Sequence, residues 1–280
     1  MNRRGLLLLT PAIVLLVVVF AAPVALMFPT SLRPYIPGQG IGEGWTAENY
    51  VKLVTDPFVL RVGARTIGLG FTVTLVTLVA GYPLAYVIAR TRSRARPWLV
   101  VLVVFPLLLN LVVRSFGWIA LLANRGLVNE TLLALGVIDA PIRLMFNFTG
   151  LLVGLTHIFL PFMILVLAAA IHNIPAELEE ASGTLGANRA VTFLTVTLPL
   201  SLPGILGGSI LVFVLTISAL VTPRLLGGPT YQVMSTMIYD QFVQLLDWPG
   251  GSAMAMALTA IVLLMIGFSS LLAARYRVRG

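Results

Sequence analysis

PAELEEASGTLGANRAVTFLTVTLP, residues 175–199, is the one acidic and strongly patterned stretch between two long apolar runs of this sequence. Pro175 suits the first position of a helix, because its missing N–H would be unpaired there, and the glutamates after it favour the positive end of a helix. Gly186 suits the left-handed residue that ends a helix, and Asn188 is a good N-cap for the next one. The stretch therefore predicts a helix, a glycine turn and a second helix.

The first of these predicted helices has an apolar face. Leu178, Ala181 and Leu185 recur at spacings of three and four residues, so they share one side of the helix. Glu177 and Glu180 lie next to this apolar face. We predict that this face docks against another protein.

The composition places the whole chain in a bilayer. Of its 280 residues, 59% are hydrophobic and 10% are charged, with a mean hydropathy of +1.01, whereas globular domains carry about 25% charged residues. The sequence contains no cysteine, which excludes disulfides, thiolate metal sites and cysteine nucleophiles. The formal charge of +8 comes from basic residues scattered between apolar spans, so it indicates membrane orientation and not nucleic-acid binding.

Six apolar runs predict an all-α membrane protein with a single transmembrane domain over residues 1–280. A helix needs about 20 residues to cross the hydrocarbon. The first run exceeds the roughly 7 to 15 residues of a signal-peptide core, so we favour an uncleaved helix over a cleaved signal peptide. The predicted spans are approximately residues 6–30, 66–89, 97–122, 148–173, 202–222 and 252–274.

The basic residues predict the orientation, because short basic loops mark the cytoplasmic side. One side of the predicted bundle carries its arginines in short segments: Arg3, Arg4, Arg90, Arg92, Arg94, Arg96, Arg189, Arg275, Arg277 and Arg279. The other side spreads its basic residues over longer loops: Arg33, Lys52, Arg61, Arg65, Arg114, Arg125, Arg143 and Arg224. We therefore predict that both termini and residues 175–199 are cytoplasmic.

Two ionisable residues within predicted spans are candidates for a translocation path. Arg114 would be costly at the bilayer centre, so it either packs at an interface or against a helix, or it lines the path. His157 lies in the middle of the fourth span and is either a hydrogen-bonded packing residue or a titrating group of the path.

The sequence carries no motif for catalysis or nucleotide binding. A Walker A loop ends in Gly-Lys-Ser/Thr, and the only lysine, Lys52, stands between Val51 and Leu53. Two histidines give little material for a metal-ligand cluster or a Ser-His-acid triad. We predict a transport protein that is not an enzyme and that binds no metal or cofactor itself. Its energy comes from a separate subunit or from an ion gradient.

The loop resembles the EAA loop of permeases from binding-protein-dependent ABC importers, whose pattern is E-A-A, three residues, G, nine residues, I-x-L-P. Glu180-Ala181-Ser182, Gly186 and Val196-Thr197-Leu198-Pro199 match that spacing, with Ser182 and Val196 as two departures that keep small or β-branched side chains. In that family the loop is the coupling helix that sits in a groove of a cytoplasmic ATPase. The resemblance implies this role for Glu180, Ala181, Ser182 and Gly186, and the apolar face adds Leu178 and Leu185.

Three further stretches are similar to permeases of the spermidine/putrescine type: residues 113–118, residues 218–223 with 226–229, and residues 247–249. The resemblance implies the type I ABC importer permease fold and alternating access in the inner membrane. It also implies a cytoplasmic ABC ATPase dimer that holds ATP and Mg²⁺, a second permease subunit, and a periplasmic or lipid-anchored solute-binding protein. A polyamine-like solute is favoured, although permeases of this architecture also carry iron, thiamine, sulfate or other small solutes.

The alternative from a different class is a secondary transporter driven by an ion gradient. Such transporters place carboxylates within their spans and have repeats with broken helices. The predicted spans contain no Asp or Glu, and no inverted repeat is visible. A structural or assembly protein of the membrane would leave the pattern of residues 175–199 unexplained, so we favour the importer permease.

Overall fold

The computed structural model of the chain describes residues 3–277, and it describes side chains for residues 10–267. The chain forms two compact units, Met1–Gly63 with Thr236–Leu263 and Ala64–Ser235 with Leu264–Gly280. The terminal arginines used to predict the orientation lie outside the residues with described side chains: Arg3, Arg4, Arg275, Arg277 and Arg279.

The elements of the N-terminal part are α1 (Arg3–Leu16), a π-helical turn (Val17–Ala21), α2 (Ala22–Ser31), β1 (Tyr35–Ile36), β2 (Gly40–Ile41) and α3 (Glu48–Thr55). The two strands pair antiparallel, with Tyr35 opposite Ile41. The Asn49 side-chain amide donates hydrogen bonds to the backbone carbonyls of Ser31 and Arg33, at 2.9 and 2.8 Å. These bonds hold α3 against the end of α2.

The next helix, α4 (Pro57–Arg90), is longer than the predicted span of residues 66–89. Asp56 accepts a hydrogen bond from the Phe58 amide at 2.8 Å, and Pro57 occupies the first helical position. These two residues explain why the helix starts at Pro57, whereas the predicted span starts after Arg65. The helix therefore includes Arg61 and Arg65.

Between residues 91 and 277 the structure describes nine further α-helices: α5 (Arg96–Leu108), α6 (Leu111–Leu122), α7 (Leu127–Ala134), α8 (Phe148–His172), α9 (Ala176–Thr184), α10 (Arg189–Thr192), α11 (Leu198–Ser218), α12 (Met234–Val243) and α13 (Trp248–Arg277). Two further π-helical turns cover Phe193–Thr197 and Pro223–Gly227. The first of these turns joins α10 to α11 without a break. Helical backbone therefore runs from Arg189 to Ser218.

The core of the second unit is centred on α8. Twelve of its 25 residues are buried, and Leu151, Leu155, Met163 and Leu167 are 0% exposed. A helix that is apolar all round belongs in the middle of a bundle. Within the core, α8 packs most extensively against α11. Glycine allows this close approach, because a Cβ at Gly204 would overlap Ala170 of α8.

The predicted third span, residues 97–122, is not one helix. It is divided into α5 and α6 at Leu109, whose backbone is extended, and Asn110. Asn110 caps α6 by accepting a hydrogen bond from the Val112 amide at 2.8 Å. Pro106 precedes the break and lacks the N–H that an uninterrupted helix would use.

Six segments within the described residues are long and apolar enough to cross a membrane, and one of them, Leu111–Ala134, joins α6 and α7 through residues 123–126. The other five are Thr10–Ser31, Pro57–Arg90, Phe148–His172, Arg189–Ser218 and Trp248–Gly267. The predicted class, a helical membrane protein with six spans, is confirmed. The structure adds the small hairpin of β1 and β2.

Candidate functional site

The candidate site is α9 and the turn that follows it. Pro175 is the N-cap of this helix and not its first residue, with an extended backbone at φ −55° and ψ 129°. Gly186 has φ +88°, as predicted for the residue that ends the helix. The Ala187 amide donates to the Ser182 carbonyl and the Gly186 amide to the Gly183 carbonyl, at 3.2 and 3.0 Å. These two bonds form a Schellman motif.

The second helix begins where the sequence predicts it. The Asn188 side chain accepts a hydrogen bond from the Val191 amide at 2.9 Å, which caps α10. The helix passes through the π-helical turn at residues 193–197 and continues as α11, with Pro199 in the first turn of α11. The turn after α9 is therefore connected directly to a predicted membrane span.

The outward face of α9 carries the predicted apolar residues. Leu178 is 44% exposed and Leu185, at the C-cap, is 88% exposed. Ala181 and Glu180 are also exposed. Water therefore contacts two leucines and a carboxylate on one surface of a short helix. The predicted docking role of these residues, and of Gly186 in the turn, stays a prediction.

The inward face of α9 is polar. Ala176, Glu179 and Ser182 recur every three residues and are the half-buried positions of the helix. Ser182 lies here and not among the exposed residues, and its hydroxyl is 3.0 Å from the hydroxyl of Thr192 in α10. The usual arrangement of a surface helix, apolar inside and polar outside, is thus inverted in α9.

Glu179 is the centre of a hydrogen-bond network that joins separate elements. One carboxylate oxygen, Oε1, accepts from Nη2 and Nε of Arg90, at 2.7 and 3.2 Å, and from Oγ1 of Thr197 at 2.8 Å. The other, Oε2, accepts from the hydroxyl of Tyr86 at 3.2 Å. Arg90 also donates from Nη1 to the carbonyl of Ile174 at 2.9 Å.

The ion pair in this network is shielded from water. The side chains of Arg90 and Glu179 are only 17% and 16% exposed. Burial alone would raise the pKa of Glu179, but hydrogen bonds from Arg90 and Thr197 and the charge of Arg90 outweigh it and hold the pKa below its usual value. Glu179 is therefore ionised at neutral pH.

A cavity of about 550 Å³ opens beside the network. Its wall contains three arginines, Arg90, Arg92 and Arg189, and two glutamates, Glu179 and Glu180. Arg92 and Arg189 are exposed, so this surface offers cationic groups to a neighbouring molecule. In the described part of the chain, no group of three or more His, Asp or Glu side chains is arranged to hold a metal ion.

The two candidates for a translocation path are brought close together by a tryptophan. Trp118 lies one turn after Arg114 on α6, and its indole N–H donates to Nδ1 of His157 at 3.2 Å. Arg114 donates from Nη1 to the Pro106 carbonyl at 2.9 Å, across the break between α5 and α6. Its buried Nε has no hydrogen-bond partner among the described residues. His157 is at least a packed, hydrogen-bonded residue, and a role in the path stays a prediction.

The network of Glu179 was not predicted from the sequence. The acidic residues of α9 were assigned by the motif, which contains Glu180, and by their position in the first turn. One signal was present, because Ala176, Glu179 and Ser182 are spaced as one helix face. Nothing in the sequence, however, names Arg90 as the partner, which lies 89 residues earlier.

The comparisons with known proteins agree with this architecture. Residues 60–278 match the model of the family "Binding-protein-dependent transport system inner membrane component". The spermidine/putrescine transport system permease protein PotB of Escherichia coli (strain K12) is 36% identical over 222 residues, which are 79% of this chain and 80% of that protein. The PotB protein of Haemophilus influenzae is 34% identical over 221 residues, 79% of this chain and 77% of that protein.

A solved structure has the same fold. It is a bacterial alginate ABC transporter in complex with an alginate pentasaccharide-bound periplasmic protein, and the matched chain is 20% identical with a TM-score of 0.76. The match covers 98% of this chain and 95% of that one. The fold of an ABC importer permease is confirmed, and the importer is favoured over a secondary transporter driven by an ion gradient. This multi-pass inner membrane protein belongs to the family of binding-protein-dependent transport system inner membrane components, the permeases of ABC importers.

Proposed function

We propose that this permease moves a polyamine-like small amine inward across the membrane, and that α9 docks on a separate cytoplasmic ATPase. The solute class is supported by the spermidine/putrescine permeases, which are 34–36% identical over 79% of the chain. The docking role is supported by the exposed apolar face of α9. In this proposal ATP and Mg²⁺ are held by the ATPase dimer and not by this chain.

The single observation that carries the docking proposal is the inversion of α9. A surface helix that binds no partner normally turns its leucines toward the protein core. In α9, however, Leu178 and Leu185 are 44% and 88% exposed. Exposed apolar residues rimmed by charge are typical of a protein interface. The exposed carboxylate of Glu180 supplies charge beside these leucines.

The proposed mechanism is alternating access by two permease subunits. Closure of the ATPase dimer moves the two docked α9 helices together, and the helical backbone from Arg189 to Ser218 transmits this movement into the membrane. The cavity between the permeases then opens outward and receives solute from a periplasmic or lipid-anchored binding protein. Both termini lie in the cytoplasm in this arrangement.

A second class of cargo is favoured by one observation. Arg114 carries a buried Nε without a hydrogen-bond partner among the described residues. That atom has no accessible surface, so a solute would meet the rest of the half-buried guanidinium, and an anion such as sulfate would pair with its charge. An amine would instead be repelled by the guanidinium. The alternative proposal is therefore an anionic small solute on the same path.

The test of function is uptake by the assembled transporter in proteoliposomes. We expect ATP-dependent accumulation of labelled spermidine or putrescine, and no accumulation of labelled sulfate. Accumulation of sulfate alone would contradict the amine and support the anionic cargo. Uptake that persists without ATP and collapses with a proton ionophore would contradict the importer mechanism.

The test of docking uses two substitutions in and after α9. Glu180→Lys reverses an exposed charge, and Gly186→Val places a β-branched residue at φ +88°. We expect both variants to insert in the membrane normally but to lose bound ATPase on purification. Gly183→Ala is the matched control, because an added Cβ at this helical position meets open space. Normal uptake and normal ATPase binding in both variants would contradict the docking role.

A further inference from the structure

We propose that Glu179 is a positioning residue that attaches α9 to the C-terminal end of α4, so that movement of α9 reaches α4 as well as the helices joined to it by the chain. The proposal rests on the docking function proposed above for α9. It assigns a role in energy transmission to the Arg90–Glu179 ion pair. No contact with solute or nucleotide is implied.

The connections of α9 show why a separate attachment matters. The chain itself links α9 to α8 through the short segment at residues 173–175, and to α10 and α11 through the turn at residues 185–188. No such link leads to α4, which ends at Arg90. Within the described side chains, the carboxylate of Glu179 is the group of α9 that hydrogen-bonds α4.

The geometry of the attachment is specific. Tyr86 and Arg90 are four residues apart and lie on one face of the last turn of α4. They donate to different oxygens of one carboxylate, and Thr197 donates to Oε1, the oxygen that also accepts from Arg90. A carboxylate held by several donors in a shielded site resists rotation, because each small displacement lengthens a charge-assisted bond.

Two features separate this contact from an ordinary surface ion pair. Exposed pairs contribute little because water competes and side-chain entropy is lost, whereas both members here are less than a fifth exposed. Arg90 is also fixed by the Ile174 carbonyl, so its guanidinium is oriented before it meets Glu179. The same arginine thus contacts the segment that enters α9 and the helix itself.

The key variant is Glu179→Gln, studied in the complex of the two permeases with its ATPase in proteoliposomes. The amide keeps the size of the side chain but removes the charge and one acceptor. We expect ATPase to remain bound, because the outward face of α9 is unchanged. We expect uptake per ATP hydrolysed to fall by about tenfold, the ratio that corresponds to loss of a hydrogen bond to a charged group.

A charge exchange tests whether the pair itself is responsible. Arg90→Glu alone places two carboxylates side by side and should abolish coupled uptake. The double variant Arg90→Glu with Glu179→Arg restores opposite charges, and we expect it to recover uptake per ATP above either single variant. Tyr86→Phe removes only the 3.2 Å bond to Oε2 and should give a smaller loss. Glu130→Gln, at an exposed position of α7, is the control.

The outcomes separate this proposal from the docking proposal. Wild-type uptake per ATP in Glu179→Gln, or no recovery in the charge exchange, would overturn the positioning role while docking could still hold. Loss of bound ATPase from Glu179→Gln would also overturn it, because the residue would then support assembly and not transmission. Failure of the docking proposal appears elsewhere, as ATPase that stays bound to the Glu180→Lys and Gly186→Val variants.

Discussion

Two adjacent glutamates on α9 have opposite surroundings. Glu180 is exposed, whereas Glu179 is half-buried and accepts hydrogen bonds from Arg90, Tyr86 and Thr197. Glu180 is the glutamate of the sequence motif, and Glu179 is the glutamate that packs against other helices. A helix rotates by about 100° per residue, so neighbouring side chains must face different environments. One carboxylate is therefore available to a partner while the other holds the helix in place.

The stability of α9 should depend on pH, because Glu179 accepts the hydrogen bonds that hold this helix in place. Its pKa is lowered in the folded protein, so the stabilisation is present above the ordinary pKa of a glutamate and is lost as the pH falls through the folded value. Above that range we expect amides of residues 176–184 to exchange about tenfold more slowly in the wild type than in Glu179→Gln. Hydrogen exchange measured by mass spectrometry on the permease in nanodiscs checks this.

The difference in amide exchange between the wild type and Glu179→Gln should vanish at acid pH, because a protonated glutamate resembles glutamine. The other ionisable groups around this carboxylate are Tyr86, Arg90, Arg92, Glu180 and Arg189. The other carboxylate in this set belongs to Glu180, and Glu180→Gln serves as its control. An exchange ratio that stays constant from neutral to acid pH would contradict a role for the Glu179 charge.

The backbone at Gly186 gives a second prediction. Space is free around this position, but φ is +88°, so Gly186→Ala should destabilise the end of α9 by about 1 kcal/mol through the backbone alone. Gly183→Ala has the same free space in a helical conformation and should stabilise α9 by about 0.5–1 kcal/mol. Local opening free energies from hydrogen exchange measure both changes. Equal effects of the two substitutions would show that the left-handed turn is not required.

At the scale of elements, small residues decide how closely the membrane helices approach. Glycines favour close contact between helices in lipid, and the structure identifies which glycines of α11 lie at such a contact. A Cβ at Gly204 would overlap Ala170 of α8, and one at Gly208 would lie 2.9 Å from Sδ of Met163. A Cβ at Gly207 would meet open space. Periodicity alone does not distinguish these positions, because it leaves the neighbouring helix unnamed.

The contact between α8 and α11 can be tested by adding one methyl group. Gly204→Ala forces the two helices apart and should destabilise the purified permease by about 1–3 kcal/mol, the usual cost of overpacking. Gly207→Ala is the matched control on the same helix and should leave stability unchanged or slightly higher. Thermal unfolding in detergent, followed by circular dichroism, compares the two. A lower melting temperature for Gly207→Ala than for Gly204→Ala would contradict the packing.

The division of the third predicted span illustrates the limit of hydropathy. Residues 97–122 are apolar almost throughout, so a window that averages hydropathy sees one helix. The local signals for a break were Pro106 and Asn110, a helix-disfavouring residue and a good N-cap. The structure uses both, because the Pro106 carbonyl accepts from Arg114 and Asn110 caps α6. Composition predicts how many spans exist, whereas single residues such as Pro106 and Asn110 decide where a span is interrupted.

At the scale of the whole molecule, the number of spans and the fold could be predicted from apolar length and the loop pattern. The orientation in the membrane rests on the positive-inside rule and stays a prediction. Contacts between distant residues, such as Arg90 with Glu179, could not be predicted. Their partners are fixed by the assembled bundle and leave no trace in the local sequence.

The predicted orientation can be measured directly, because the chain contains no native cysteine. Leu185→Cys places a thiol at a position that is 88% exposed, and Trp45→Cys places one at a position that is 68% exposed in a predicted outer loop. We expect a membrane-impermeant maleimide to label Trp45→Cys in intact cells and Leu185→Cys only in inverted vesicles. Labelling of Leu185→Cys from the outside of intact cells would contradict the orientation and the docking role together.

The short length of α9 has a consequence for biogenesis. Nine residues are too few for a helix to persist in water, since isolated helices below about 12–15 residues are marginal. Three side chains donate hydrogen bonds to Glu179 and hold α9 in place. Tyr86 and Arg90 leave the ribosome long before α9, and Thr197 leaves it soon after α9. Because all three partners precede α12 and α13 in the chain, we expect the docking surface to form while these two helices are still being translated. We expect nascent chains arrested within α12 to capture the ATPase already, which would make assembly of the transporter co-translational.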